Sequence, residues 1–345
     1  WSSDVCSSDL AYTAFLIFPN QLFEDIQILK SLEKSGHNVR CFLLEEPLFF
    51  SDKERIQTFN ALKLLLHRAS MKFYADYLAS NGMNVDYINY NHMSDLQKVV
   101  SGAKEVYYYD VVDHLLEKRL QSLLKKTGKS AKVLENPAFM CSREDLKEFL
   151  ASQKTKKRKY YQTDFYRWHR KRTGILMDTE GTGNFLGGKL SFDPENRQSV
   201  PKGGFKPMKY HITKSNKYIE EAQQYIGANF PDHYGNLENY QHIAFDFAGA
   251  RAMLNDFVKN RLQSFGTYED AMDTENPFLY HSLLSSALNI GIITPGEVID
   301  TALDMFYKNT DTIGINQIEG FVRQIMGWRE YYRMVYVYLY NDLVG

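Results

Sequence analysis

The chain has little from which several common architectures are made. Only three cysteines, Cys6, Cys41 and Cys141, occur in 345 residues, far apart and odd in number. They form neither a disulfide framework nor a CxxC metal knuckle, and they predict a reduced, cytoplasmic setting. No apolar run approaches the roughly 18 residues that would cross a bilayer. The longest runs, such as Ala14 to Phe18, suit buried strands. No GxGxxG is present, so a nicotinamide-dehydrogenase reading starts weak. Charge of one sign is also missing. Forty-one Lys and Arg against forty-two Asp and Glu leave a formal charge of −1, so a nucleic-acid surface would have to come from local clustering. No methionine precedes Met71, and residues 1–10, with SSD at Ser2 and again at Ser7, carry neither a basic start nor an apolar core. They read as a foreign lead rather than a signal peptide.

What is abundant is aromatic, 14% of the chain, within an otherwise ordinary composition of 44% hydrophobic and 24% charged residues. Length alone suggests two domains. From Ala11, β-type runs alternate with amphipathic segments. Strands are predicted at 14–18, 39–44, 85–88, 105–109 and 132–134, and helices at 23–35, 63–80, 94–100 and 115–126. That alternation predicts a doubly wound parallel sheet over 11–141. Its ligand mouth would lie beyond the strand ends, at Asn20, Gln21, Glu45 and Glu46. From about 142 to 209 the chain is polar and irregular, with one helical stretch near 160–177, and reads as a basic interdomain linker. Beyond 210 the period becomes helical, at 217–229, 248–264, 277–293, 295–309 and 317–339.

Four local patterns bear on chemistry. Between Lys154 and Arg172, nine basic residues face one acid, Asp164, and interleave with Tyr160, Tyr161, Phe165, Tyr166 and Trp168. That mixture suits phosphate contact with base stacking, and equally a solvated basic linker. Gly181 to Gly188 approaches a P-loop, but Leu190 stands where Ser or Thr would hold magnesium, so a connector is the better reading. Pro277 to Ser285 reads as a helix start, with Ser282 and Ser285 one turn apart, a cap that could also receive a pyrophosphate. Phe321 to Arg333, FVRQIMGWREYYR, places Gln324 and Trp328 on one face and Arg329 and Arg333 on a neighbouring one. A planar, polar-edged ligand or a plain core helix would each account for it.

PFLYHSLLSSALNIGIITPGEV at 277–298 and IEGFVRQIMGWREYY at 318–332 resemble the flavin-binding domain of the photolyase and cryptochrome superfamily. The closer likeness is to its bacterial deoxyribodipyrimidine-photolyase-related branch, which includes iron-sulfur (6-4) photolyases. NQLF at 20–23, HRASMKFY at 67–74, FYRWHRKRTGILM at 165–177, GGKLSFDPENRQ at 187–198 and FPDHYGNLENY at 230–240 support it in order.

The resemblance implies an N-terminal α/β antenna domain at 11–141 and an all-α, incomplete FAD-binding domain at 210–345. It implies light-driven repair of pyrimidine photoproducts in damaged DNA by electron transfer from reduced FAD, by a lyase that acts as a monomer. Tyr268, His281, Ser282, Leu283, Leu284 and Ser285 would surround the FAD phosphates, with Arg329 near flavin and phosphate. Gln324 and Trp328 would face the flavin or lesion. Asn20, Gln21 and Glu46 would hold a lumazine-type antenna, and Lys156, Lys157, Arg158 and Lys159 would meet DNA. The family's 4Fe-4S cluster is implied for a longer protein, since none of the three cysteines matches a cluster ligand. Catalytic residues are expected beyond Gly345, which makes this chain an inactive fragment that retains FAD weakly or not at all. Two alternatives stay open: a cryptochrome-like photoreceptor without repair activity, and a basic nucleic-acid-binding module with a vestigial flavin site.

Overall fold

The computed structural model describes residues 12–344, apart from 56–57, 154–159, 179–181 and 206–207. The foreign lead read at 1–10 and the run Lys156 to Lys159 expected to meet DNA therefore lie outside the described residues. Elements follow in the order β1 (Thr13–Ile17), α1 (Gln27–Lys34), β2 (Val39–Leu44), α2 (Pro47–Phe50), α3 (Ala61–Ser80), β3 (Asn84–Ile88), α4 (Leu96–Gly102), β4 (Glu105–Tyr109), α5 (His114–Thr127) and β5 (Ala131–Leu134). Then come α6 (Arg143–Ser152), α7 (Gln162–Thr173), α8 (Lys217–Asn229), α9 (Phe247–Asn260), α10 (Leu262–Phe265), α11 (Ser285–Ile290), α12 (Pro295–Lys308) and α13 (Ile315–Val322). A π-helical turn over Arg323–Arg329 leads into α14 (Glu330–Val344).

The chain divides into two compact units. The first holds the described residues through Asn136 together with Lys214–Tyr240 and Ile290–Ile292. Its sheet is wholly parallel, in the order β3-β2-β1-β4-β5, the doubly wound arrangement expected. Strands alternate faces, so Ala14, Leu16, Phe42, Leu44, Val106 and Tyr108 share one core with Leu116 and Leu120 of α5. Phe15 and Tyr109 stand on the opposite face, where Phe23 meets Tyr109 edge-on at 5.1 Å. Capping follows sequence chemistry. Asp113 accepts from Leu115 and Leu116 at the start of α5, and Gly128 takes the left-handed conformation at its end.

Helix α8, read from the sequence as the first of the flavin domain, packs in this first unit on α3. Arg68 bonds Glu221, and Asp76 accepts from Lys217 at 2.9 Å and Tyr218 at 2.8 Å. The short return at 290–292 docks through Leu22 N to Ile290 O. Gly291 is needed there: its φ is +88°, and a Cβ would stand 2.7 Å from the Phe23 ring.

The second unit comprises Pro137–Thr213, Gln241–Asn289 and the chain from Ile293. Parts of the stretch read as a linker are buried in this unit. Cys141, Leu146, Phe149, Phe165 and Met334 form one buried cluster. Arg170, fully buried, donates to the carbonyls of Ile175, Leu176 and Leu190, and its guanidinium lies 4.7 Å from the Phe185 ring. Glu319, also fully buried, accepts from Tyr166 Oη at 3.0 Å, from the Phe192 amide at 2.9 Å and from Arg323. The helix expected over 277–293 is only α11. Leu279 and Leu283 have φ of 43° and 62°, which no helix continues through. The expected helix start at Pro277 therefore moves to Ser285.

Candidate flavin site

Within the second unit a cavity of about 410 Å³ is lined by Phe265, His281 to Ser285, Leu288, Asn289, Phe321, Gln324, Ile325 and Arg329. Two distant stretches of sequence supply most of it, with Phe265 of α10 closing one side. One is the turn entering α11, and the other is the π turn between α13 and α14.

The entering turn is held from several sides. Tyr210 Oη donates to Leu279 O at 3.0 Å, and Arg261, buried and paired with Asp256 at 2.6 Å, donates from Nε to His281 O. His281 Nε2 lies 3.1 Å from Glu269 O. A carbonyl can only accept, so Nε2 carries the proton. Left-handed leucines cost about 1–3 kcal/mol each and persist where surroundings over-determine them, as at ligand clamps. Leu283, one of the pair, lines the cavity.

The second wall owes its shape to the π turn. Its i→i+5 bonding turns Arg329 closer to the Gln324 side than ordinary helical spacing would. Gln324, Ile325 and Arg329 accordingly line the cavity. Trp328 instead stacks on Tyr332, with ring centres 5.6 Å apart. Arg329 Nη1 donates to Ala138 O, and burial holds its pKa below the usual arginine value.

The sequence-derived flavin residues are thus gathered in part. His281, Ser282, Leu283, Leu284, Ser285, Gln324 and Arg329 share the cavity. Tyr268 and Trp328 are not among its lining residues; Tyr268 packs on Tyr280 at 5.5 Å and edge-on to Phe205 at 5.0 Å. Phe265, Asn289, Phe321 and Ile325 went unremarked in the sequence, although the spacing 321, 325, 329 was a usable signal.

In the first unit Asn20 and Gln21 follow β1. Gln21 Nε2 donates to Tyr109 O at 3.0 Å and Asp110 O at 3.2 Å. Asn20 Oδ1, Gln21 Oε1 and Ser70 Oγ are buried without a hydrogen-bond partner, and burial pushes the His67 pKa down to about 3 against a hydrogen bond to the Pro19 backbone. Glu46 is otherwise engaged, 3.1 Å from Arg119 in a cluster with Asp52 and Glu54. Burial raises its pKa against the pull of Arg119. Glu45 is filled as well, by Arg68 Nη1, Tyr87 Oη, Tyr90 N and Tyr225 Oη at 2.7–2.8 Å.

Cys41 and Cys141 are buried free thiols, and burial pushes the Cys41 pKa up to about 12. Among the described residues no three His, Cys, Asp or Glu side chains are grouped to hold a metal. No described helix is long and apolar enough to cross a membrane.

A doubly wound α/β unit joined to a helical unit with a half-polar cavity defines a class of two-domain α/β and all-α proteins. The chain belongs to the deoxyribodipyrimidine photo-lyase-related protein family, whose model matches residues 15–242. It is similar to a (6-4) photolyase of Agrobacterium fabrum, 28% identical over 336 residues, covering 93% of this chain and 62% of that protein. An uncharacterised protein of Acanthamoeba polyphaga mimivirus is 38% identical over 192 residues, 54% of this chain and 94% of that protein. In fold it is similar to a bacterial class III photolyase from Agrobacterium tumefaciens, with a TM-score of 0.55 at 19% identity, covering 98% of this chain and 61% of that one. The chain thus spans about three-fifths of the length of these two photolyases.

Proposed function

We propose that the chain is the antenna and flavin-binding portion of a light-driven enzyme that repairs pyrimidine photoproducts in DNA with reduced FAD. The observation that carries this reading is the shared cavity: the Ser282 to Ser285 turn and Arg329, 44 residues apart in sequence, line one space. Its donor set fits a dinucleotide. Ser282, Ser285 and Arg329 offer hydroxyls and a cation to phosphates, while Phe265, Leu288, Phe321 and Ile325 offer an apolar wall to a ring system. When bound, FAD would supply the one-electron chemistry. The chain's own residues bind and orient it: Arg329 neutralises phosphate charge, Gln324 meets a polar edge, and the apolar side chains exclude water. Tyr268 and Trp328 would contribute from outside the cavity, by packing.

Titrating FAD into the chain and following flavin fluorescence tests this. Saturable quenching is expected, too weak to survive gel filtration, and Arg329→Ala should weaken it by about tenfold or more, the worth of a charged hydrogen bond. Absence of quenching at high micromolar protein would refute the reading.

In the α/β unit, the buried, unpartnered oxygens of Asn20 and Gln21 beyond β1 favour the antenna assignment for both. Damaged DNA would be met by the basic run Lys156 to Lys159, since Arg170 of the same stretch is buried on backbone carbonyls. Neutralising Lys156, Lys157, Arg158 and Lys159 together should lower the slope of log affinity against log salt by about 3. A slope equal to that of the unaltered chain would remove this segment from the interface.

A further inference from the structure

Arg329 and Arg333 stand four residues apart, and both guanidiniums lie on one ring. Each is 4.4 Å from the centroid of Phe139. The backbone around that ring completes the arrangement. Ala138 O accepts from Arg329 Nη1, and Cys141 O accepts from Arg333 Nη1. Glu330, between the two arginines, accepts from the amides of Met140 at 2.9 Å and Cys141 at 3.1 Å. Four consecutive residues, Ala138 to Cys141, are thereby gripped by three side chains at the junction of the π turn and α14.

The grip matters for the cavity because of what it does to Arg329. An arginine side chain carries about 2 kcal/mol of rotamer entropy and is poorly aimed unless something holds its plane. Here the plane is set twice, by the Phe139 face and by the Ala138 carbonyl. The charge is not cancelled in the process. Glu330, the neighbouring carboxylate, is 4.0 Å away, and both of its oxygens already accept backbone amides. A held, partly desolvated cation on a cavity wall is the arrangement that receives an anion.

We infer that Phe139 is a positioning residue, whose ring fixes the plane in which Arg329 presents its remaining N–H groups to an anionic group in the cavity. The identity of that group, the diphosphate of FAD, rests on the function proposed above; the clamp itself does not. The class of ligand is thereby narrowed to one with a phosphate at the Arg329 corner, so riboflavin should bind without sensing Phe139.

Two measurements on the full chain decide the matter. Phe139→Leu keeps apolar bulk and loses the aromatic face, and Phe139→Tyr keeps both. In flavin fluorescence titrations Phe139→Leu should weaken FAD by about tenfold, within the range of a desolvated cation–ring contact. Phe139→Tyr should match the unaltered chain. In an Arg329→Lys background Phe139→Leu should change affinity by less than about twofold. Equal weakening in both backgrounds would show that the ring serves bulk packing alone and overturn the inference.

The second measurement needs no ligand. In protein labelled with ¹⁵N-arginine, the Nε–H signal that vanishes in Arg329→Lys belongs to Arg329. It should move toward the exposed arginines in Phe139→Leu and stay in place in Phe139→Tyr. A signal unmoved by Phe139→Leu overturns the clamp even where affinity falls. If the unaltered chain binds no FAD, the proposed function fails while this spectrum still decides the role of Phe139.

Discussion

Glu330→Ala is expected to destabilise the helical unit by roughly 3–5 kcal/mol, the usual consequence of removing one member of a buried, hydrogen-bonded charge cluster. The side chain is fully buried, and burial raises its pKa while the Met140 and Cys141 amides and Arg329 pull the other way. Alanine would leave both amides without an acceptor in a place water cannot reach, and would open a cavity beside Arg329 and Arg333. Glu330→Gln should recover only part of the loss. Its one carbonyl oxygen can still accept, but its NH₂ would face an amide N–H. Chemical denaturation followed by tryptophan fluorescence would register the change, since Trp168 packs within the Cys141, Phe149 and Phe165 cluster. A midpoint for Glu330→Ala within error of the unaltered chain would mean that these amides find other acceptors.

Arg68→Met should destabilise the α/β unit to a similar extent, about 3–5 kcal/mol, or roughly 10 °C in melting temperature. Arg68 sits on α3 with its side chain 5% exposed and reaches a carboxylate, Glu45, that is wholly buried. It also meets Asn89 Oδ1 at 2.6 Å and Glu221, and its guanidinium lies 3.7 Å from the Tyr225 ring centre. Methionine matches much of the volume, so the effect would report the charge left behind on Glu45 rather than a void. Adding Glu45→Gln to Arg68→Met should restore part of the stability, because the uncompensated charge would be gone. If the double replacement is no better than the single one, the loss lies in packing against Tyr225 instead.

The strands were legible because a parallel strand covered on both faces is written as an apolar run. FLI, CFLL and VYYY admit few other readings, and every strand bound was placed within one residue. Legibility failed where polarity stopped meaning exposure. Arg170 and Asn196 lie in stretches polar enough to read as a linker, yet both are fully buried, because backbone carbonyls satisfy them as well as water would. It failed again at Leu279 and Leu283, where a serine and leucine spacing that suits a helix is overruled by tertiary bonds from Tyr210 and Arg261. At the cavity, Ser282, Ser285 and Arg329 could be found from residue type and position. By the i, i+4 spacing of an ordinary helix Trp328 pairs with Gln324, a register the π turn does not keep, although the run 321, 325, 329 points to Arg329.

The α/β unit draws its last pieces from late in the chain. Tyr225 reaches Glu45, Tyr234 O accepts from the Ala61 amide, and Ile290 O accepts from Leu22. During synthesis, then, the sheet can form as soon as β5 leaves the ribosome, but the outer side of α3 stays bare until some hundred further residues have emerged. A piece cut at residue 141, where the alternating pattern ends, would lack α8. It is expected to be sticky and short-lived in isolation, and co-expression with a peptide spanning 214–240 should rescue its solubility.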